Sequence, residues 1–279
     1  MVAYLDTNAF DHLYKKIGCT SADIANLRKA IYGRELSLPL SIHTLEEILL
    51  ARKARPELLV AQIKLTLSLA SFRRLVKPCD QLIADDIRAY AERGQAERPY
   101  AGAEIQNIIS DGIGELIETD GEELDEDMMA ALKETRQRKE RFAEEIRRAL
   151  ETNRAIADPP KEESDFGRCF QDLAPKLAES FADRVGALDA CKARGLDGLL
   201  EVKSVRMAIG AAVSLRFGQS VEGRSPKSGD STDLLHAASA ATVAETFVTD
   251  DKRLRTALAR VPLDGFDVLD LPSFLQRLH

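Results

Sequence analysis

The chain has 279 residues, 44% of them hydrophobic and 30% charged, with a net charge of −7, which is ample material for one large core or two small ones. The acidic total argues against a protein that coats nucleic acid without specificity, and the absence of Trp with only 5% aromatics argues against a stacking platform for single strands. No apolar run reaches the roughly 20 residues of a membrane span, and the opening MVAYLDTN lacks the basic start and apolar stretch of a secretory signal. Four scattered cysteines without a Cys-x-x-Cys pair point to free thiols rather than a zinc site, so a cytoplasmic protein is expected.

Met1 to Leu5 is a short apolar run that stops at Asp6 and predicts a buried strand, and NAFDHLYKKI behind it has helical spacing. ELSLPLS (35–41) predicts a second strand, against which Pro39 is an objection. Residues 42–72 read as helix broken near Arg55-Pro56. RRLVKP (73–78) predicts a third strand, and DQLIADDIRAYAERG a helix ended by Gly94.

From 95 to 200 there is no strand pattern. Residues 121–157 read as one long charged helix with Leu124, Met128, Leu132, Phe142, Ile146 and Leu150 along a stripe. A loop over 158–167 and a helix from Phe170 to Cys191 follow. Residues 196–218 are again helical and rich in small residues, and 219–230 form a polar loop. Strand pattern returns in TFVT and FDVLDL, the latter leading into a last helix. Short strands alternating with helices predict an α/β fold with a parallel sheet covered on both faces. The simplest organisation is one α/β core built from residues 1–94 and 201–279, interrupted by an all-helical insertion at 95–200.

Open parallel sheets bind ligands at the carboxyl ends of their strands. Asp6 directly follows VAYL, and Asp250 and Asp251 directly follow FVT. Glu46 and Glu47 lie early in the helix after LSLPLS, and Asp233 opens a helix capped by Ser231 or Thr232. Singly, each acid is explained as a helix cap, a complement to the helix dipole or a turn former. Gathered in one crevice they repel and raise one another's pKa, a penalty that a cation relieves. Carboxylate and water ligands suit Mg²⁺ or Mn²⁺ rather than zinc. Such an ion fits phosphodiester hydrolysis, because it acidifies an attacking water and neutralises charge building on the phosphate.

YLDTNAF at the start, SIHTLEEIL in the first third and GDSTDLLHAASAA…FVTDDKRL near the end together resemble the PIN-domain nucleases. The resemblance covers roughly the first 80 and last 60 residues, and the order of the motifs carries it, since each alone is short. It implies an α/β/α sandwich around a parallel sheet and a metal-dependent endoribonuclease, a class that includes toxins of bacterial toxin–antitoxin pairs. It further implies that Asp6, Glu47, Asp233 and Asp251 are the catalytic acids and metal ligands, with Glu46 the less favoured register beside Glu47. Asn8, Thr249 and Asp250 would then support those ligands. The large helical insertion departs from compact members of the family; it offers a surface for an antitoxin or another protein partner.

Arg52, Lys53 and Arg55 beyond Glu47, and Lys252, Arg253 and Arg255 after the last acid, flank the expected crevice; of these, Arg52, Lys252 and Arg253 are the candidates for the RNA backbone. His236, one turn after Asp233, could approach a phosphate, although a lone His beside AASAA is more often packed. The basic RQRKER (136–141) reads first as a solvated face paired with Glu134, Glu140 and Glu144. The small-residue stretch GAAVSL (210–215) suits close helix packing or a homodimer contact. A phosphohydrolase of the haloacid dehalogenase kind is the alternative enzyme; it needs a second Asp two residues after the first, where this chain has Asn8. No Gly-x-Gly-x-x-Gly follows the first strand to support dinucleotide binding. An inactive PIN-like interaction protein is the non-enzyme alternative.

Overall fold

The five strands among the described residues are short, and each has a parallel partner. The computed structural model describes residues 1–52, 54–122, 124–152, 162–222 and 230–278. The order is β1 (Ala3–Leu5), α1 (Thr7–Lys15), α2 (Ser21–Tyr32), β2 (Pro39–Ser41), α3 (Ile42–Arg52), α4 (Pro56–Leu69), β3 (Ser71–Val76) and α5 (Cys79–Arg93). Next come α6 (Ala103–Glu118), α7 (Glu126–Thr152), α8 (Phe166–Arg184), α9 (Leu188–Arg194), α10 (Leu196–Leu199) and α11 (Lys203–Glu222). The chain closes with α12 (Asp230–Val243), β4 (Thr246–Val248), α13 (Lys252–Ala259), β5 (Asp267–Leu269) and α14 (Leu271–Gln276). The protein is therefore a mostly helical α/β structure around a small parallel sheet.

β1 pairs with β4, Leu5 opposite Val248, and β4 pairs with β5, Val248 opposite Leu269. β2 pairs with β3, and the register shifts between Pro39 and Leu40, where proline has no N–H to continue the ladder. A parallel bridge between Val2 and Ser37, with Ala3 N–H donating to Ser37 and Ser37 N–H to Met1 (both 3.0 Å), joins the two pairs. The strand order is thus β3-β2-β1-β4-β5.

Side chains alternate across the sheet, and each face has its own core. Tyr4 and Phe247 point to one, shared with Ile83 of α5, Phe142 of α7 and Phe181 of α8. Ala3, Leu5 and Val248 point to the other, shared with Phe10 of α1, Ile113 of α6 and Phe274 of α14. The helices between residues 95 and 200 are thus not a separate body; they supply apolar side chains to both cores. α7 runs past the sheet from one core to the other. Its first half buries Met128 and Leu132 in the second core, and its later half buries Phe142 and Ile146 in the first.

Several boundaries differ from the sequence expectation. The long helix starts at Glu126, not 121, because the chain turns through Gly121 at φ +86°. The segment from Phe170 to Cys191 is two helices, with Gly186 at φ +69° between them, and the first already begins at Phe166. α11 continues to Glu222, past the expected loop start at Gln219. α12 begins at Asp230, so Ser231 and Thr232 lie in its first turn. Residues 153–157 of the expected long helix, and 158–161 and 223–229 of the two expected loops, fall outside the described residues. GAAVSL is interior: a Cβ on Gly210 would come within 2.5 Å of Val261 Cγ1, so it offers no open dimer face. The four cysteines are unpaired, and no described helix is long and apolar enough to cross a membrane.

Candidate functional site

Asp6 is where β1 becomes α1. Its backbone is extended, and its Oδ1 accepts the Ala9 N–H at 2.7 Å, the geometry of a helix cap. Its N–H donates to Val248 across the β1–β4 pair, which sets Asp6 beside the end of β4. There the Thr249 hydroxyl donates to Asp6 Oδ2 and accepts the Asp251 N–H at 3.2 Å. Asp6 is only 5% exposed. Burial pushes its carboxyl up to about 6, against the downward pull of Thr249 and Ala9, and Asp250 stands close enough to add to the rise.

Glu47, in the second turn of α3, is tied to the same strand end by Thr7, whose hydroxyl donates to Oε2 at 2.5 Å. Its Oε1 carries two cations. His236 Nε2 lies at 3.0 Å and Lys139 Nζ at 2.7 Å, and Lys139 also reaches Glu46 Oε2 at 2.8 Å. Burial alone would raise Glu47; His236 and Lys139 outweigh it and hold the carboxyl far below its usual range. Glu46 is lowered for the same reason, burial being outweighed by His43 and Lys139. Burial likewise opposes the charge on His236 and Lys139, yet their acids win and keep both raised. As an imidazolium, His236 donates from both nitrogens, to Glu47 and to the Tyr4 hydroxyl at 3.3 Å, and Tyr4 donates onward to Ser41 at 2.6 Å.

The other expected residues divide as follows. Asp233 is half-buried in the first turn of α12, one turn before His236 and on the same helix face. Asp251 caps α13, its Oδ1 accepting the N–H groups of Arg253 and Leu254. Asp250 is braced by His12 Nδ1 at 2.5 Å and by the Leu271 N–H at 3.0 Å. Asn8 is exposed on α1, so the supporting place expected for it belongs to its neighbour Thr7, because the first helical turn points residue 7 at Glu47. Lys252 and Arg253 are exposed at the start of α13. Arg255 donates to the Thr249 carbonyl at 2.8 Å. The side chain of Arg52, and Lys53, lie outside the described residues.

Lys139 and Thr7 went unnoticed in the sequence. Lys139 sits in RQRKER, expected as a solvated face, and part of that stretch is solvated: Arg136 pairs with Glu140 at 3.0 Å. Lys139 is 4% exposed. The signal was present in the spacing. The apolar stripe skips from Leu132 to Phe142, and helical steps of three and four fill the gap with Thr135 and Lys139, both buried.

No trio drawn from Asp6, Glu47, Asp233 and Asp251 has ligand atoms within 4.8 Å of one another among the described residues; the group that does is His43, Cys79 and Asp80. That group is built as a helix cap. His43 Nε2 accepts the Cys79 N–H at 3.0 Å at the start of α5, burial pushes His43 down to about 4, and burial keeps the Cys79 thiol well above its usual range. The carboxylates at the strand ends are instead balanced from within, Glu46 and Glu47 against Lys139 and His236. Their donor set is all oxygen, which fits Mg²⁺ or Mn²⁺ in kind. Comparisons with protein-family models, curated proteins and solved structures returned no match.

Proposed function

We propose that the chain is a PIN-like endoribonuclease that uses Mg²⁺ or Mn²⁺ to hydrolyse RNA phosphodiester bonds. The observation that carries this reading is the pairing of Leu5 with Val248, which brings Asp6 against Thr249 although 243 residues separate them. Thr7 adds Glu47 to the same edge, and His236 brings the face of α12 that bears Asp233. The strand order β3-β2-β1-β4-β5 and helices on both faces also support the PIN-like reading, because the acids then lie at the carboxyl ends of adjacent strands.

Asp6 and Glu47, with Asp233, would hold the ion; Thr249 and the Ala9 N–H orient Asp6, and Thr7 orients Glu47. Asp251 caps α13, and Asp250 is held by His12 and the Leu271 N–H, so both acids of that pair brace the edge beside Asp6. When bound, the ion supplies acidification of water and charge neutralisation on the phosphate. Lys252 and Arg253 lie exposed one turn from the Asp250 edge, where they can meet phosphates.

Purified protein should cut single-stranded RNA with Mn²⁺ or Mg²⁺ and stop with EDTA. Asp6→Asn and Asp233→Asn should abolish cutting with the fold retained, and Thr249→Val should slow it by about 10- to 100-fold, the usual effect of removing a group that orients a ligand. Unchanged cutting by both Asn variants sinks the assignment. The buried Lys139 favours a second reading, a PIN-like interaction protein whose acids are permanently neutralised; intact RNA in every metal condition, from folded protein, selects it.

A further inference from the structure

α7 crosses the carboxyl end of the sheet between its two cores, and the polar residues it buries at the crossing are Thr135 and Lys139. Lys139 Nζ lies 2.7 Å from Glu47 Oε1 and 2.8 Å from Glu46 Oε2 with its side chain 5% exposed. We infer that Lys139 is a built-in counter-ion that competes with the divalent cation for Glu47, so that metal loading and withdrawal of its ammonium are one event. The inference rests on the nuclease reading of the site.

An ion held by Glu47 would have to share the carboxylate oxygen that accepts from Lys139. An ammonium held 2.7 Å from that same oxygen would then be a close, desolvated neighbour of like charge. His236 and Lys139 already share Glu47 Oε1, so a divalent ion would be the third cation on one carboxylate. Lysine is the partner that can leave: its charge rides on a flexible four-carbon stem, so Nζ can swing away without moving the helix. Glu46, buried and out of reach of Thr7, gives the ammonium an acid to stay with. The second core needs no rearrangement, since Met128 and Leu132 anchor α7 independently. The insertion thereby sets the affinity of a site that it does not itself ligate.

The test is Mn²⁺ titration of the metal-free full-length protein by calorimetry, with the Mn²⁺-induced rise in Tm as a second readout. Lys139→Met should bind Mn²⁺ about 10-fold tighter than the parent, within the usual range for coupled sites, and show the larger rise. Lys139→Arg keeps the charge and should not gain. Because Lys139→Met alone leaves Glu46 without its ammonium while His236 stays on Glu47, the double variant Lys139→Met/Glu46→Gln removes the lysine together with that acid and should show the same gain. Equal or weaker Mn²⁺ binding by both methionine variants, beside parent binding that Asp6→Asn abolishes, overturns the counter-ion role and leaves the site reading standing. Failure of the parent and all variants to take up Mn²⁺ overturns both.

Discussion

Burial acts differently on each acid at the strand ends, and that difference has a pH signature. Asp6 forms no ion pair among the described residues, and burial outweighs the pull of Thr249, Ala9 and the nearby His236 and pushes it up to about 6. A folded-state pKa above the unfolded value of about 3.9 means that its contribution to stability is fully present below that value. It is lost as pH rises through about 6. The loss amounts to about 3 kcal/mol at neutral pH. Glu47, held low by His236 and Lys139, behaves oppositely: its contribution is present above the ordinary carboxylate range and lost as pH falls toward its low folded value. His236, raised by Glu47, loses its contribution as pH rises above the usual imidazole range. Subtracting a variant isolates Asp6. Metal-free Asp6→Asn should melt above the parent at pH 8, with the gap closing toward pH 4; a gap independent of pH would show that Asp6 is not the strained group. At this scale Asp6 and Thr249 were legible because a strand end announces them. Thr7, His12 and Lys139 were not, because their partners lie in distant segments and no local pattern marks a hydrogen bond.

At the scale of elements, α7 shows where periodicity informs and where it misleads. Its apolar stripe is real, and Met128, Leu132, Phe142 and Ile146 are all buried. Its basic stretch looks like solvent-facing helix until Thr135 and Lys139 are placed on the stripe. The five strands were legible in place, Pro39 included, since a register shift absorbs it, although β3 begins at Ser71, inside the stretch expected as helix. Helix ends were not, where glycines such as Gly121 and Gly186 at positive φ break a run that composition alone continues. Phe142 tests whether α7 is structural. Its ring is 2% exposed, lies 5.6 Å from Phe181 and carries Arg184 4.3 Å from its centroid. Phe142→Ala should cost about 3–5 kcal/mol in urea unfolding; a loss under about 1 kcal/mol, as for a surface residue, would mean that α7 is peripheral.

At the scale of the whole molecule, the meeting of the two chain ends was legible, because short apolar runs that stop at an acid occur at both ends and β1 finds its parallel partner in β4. The integration of residues 95–200 was not. Nothing local in Phe142 or Ile113 says that one joins Tyr4 and the other Leu5 on opposite faces of the sheet. Nor does the net charge of −7 reveal that Glu46 and Glu47 are matched by an internal lysine and histidine. Lys139 and His236 balance Glu46 and Glu47 from within the chain, while Asp6 stays raised by burial. The most direct test of the central claim is anomalous diffraction from crystals soaked in Mn²⁺. A peak among Asp6, Glu47 and Asp233, with Lys139 Nζ moved off Glu47, is the expected result. A peak at His43, Cys79 and Asp80 instead, or none with Lys139 still on both glutamates, would contradict it.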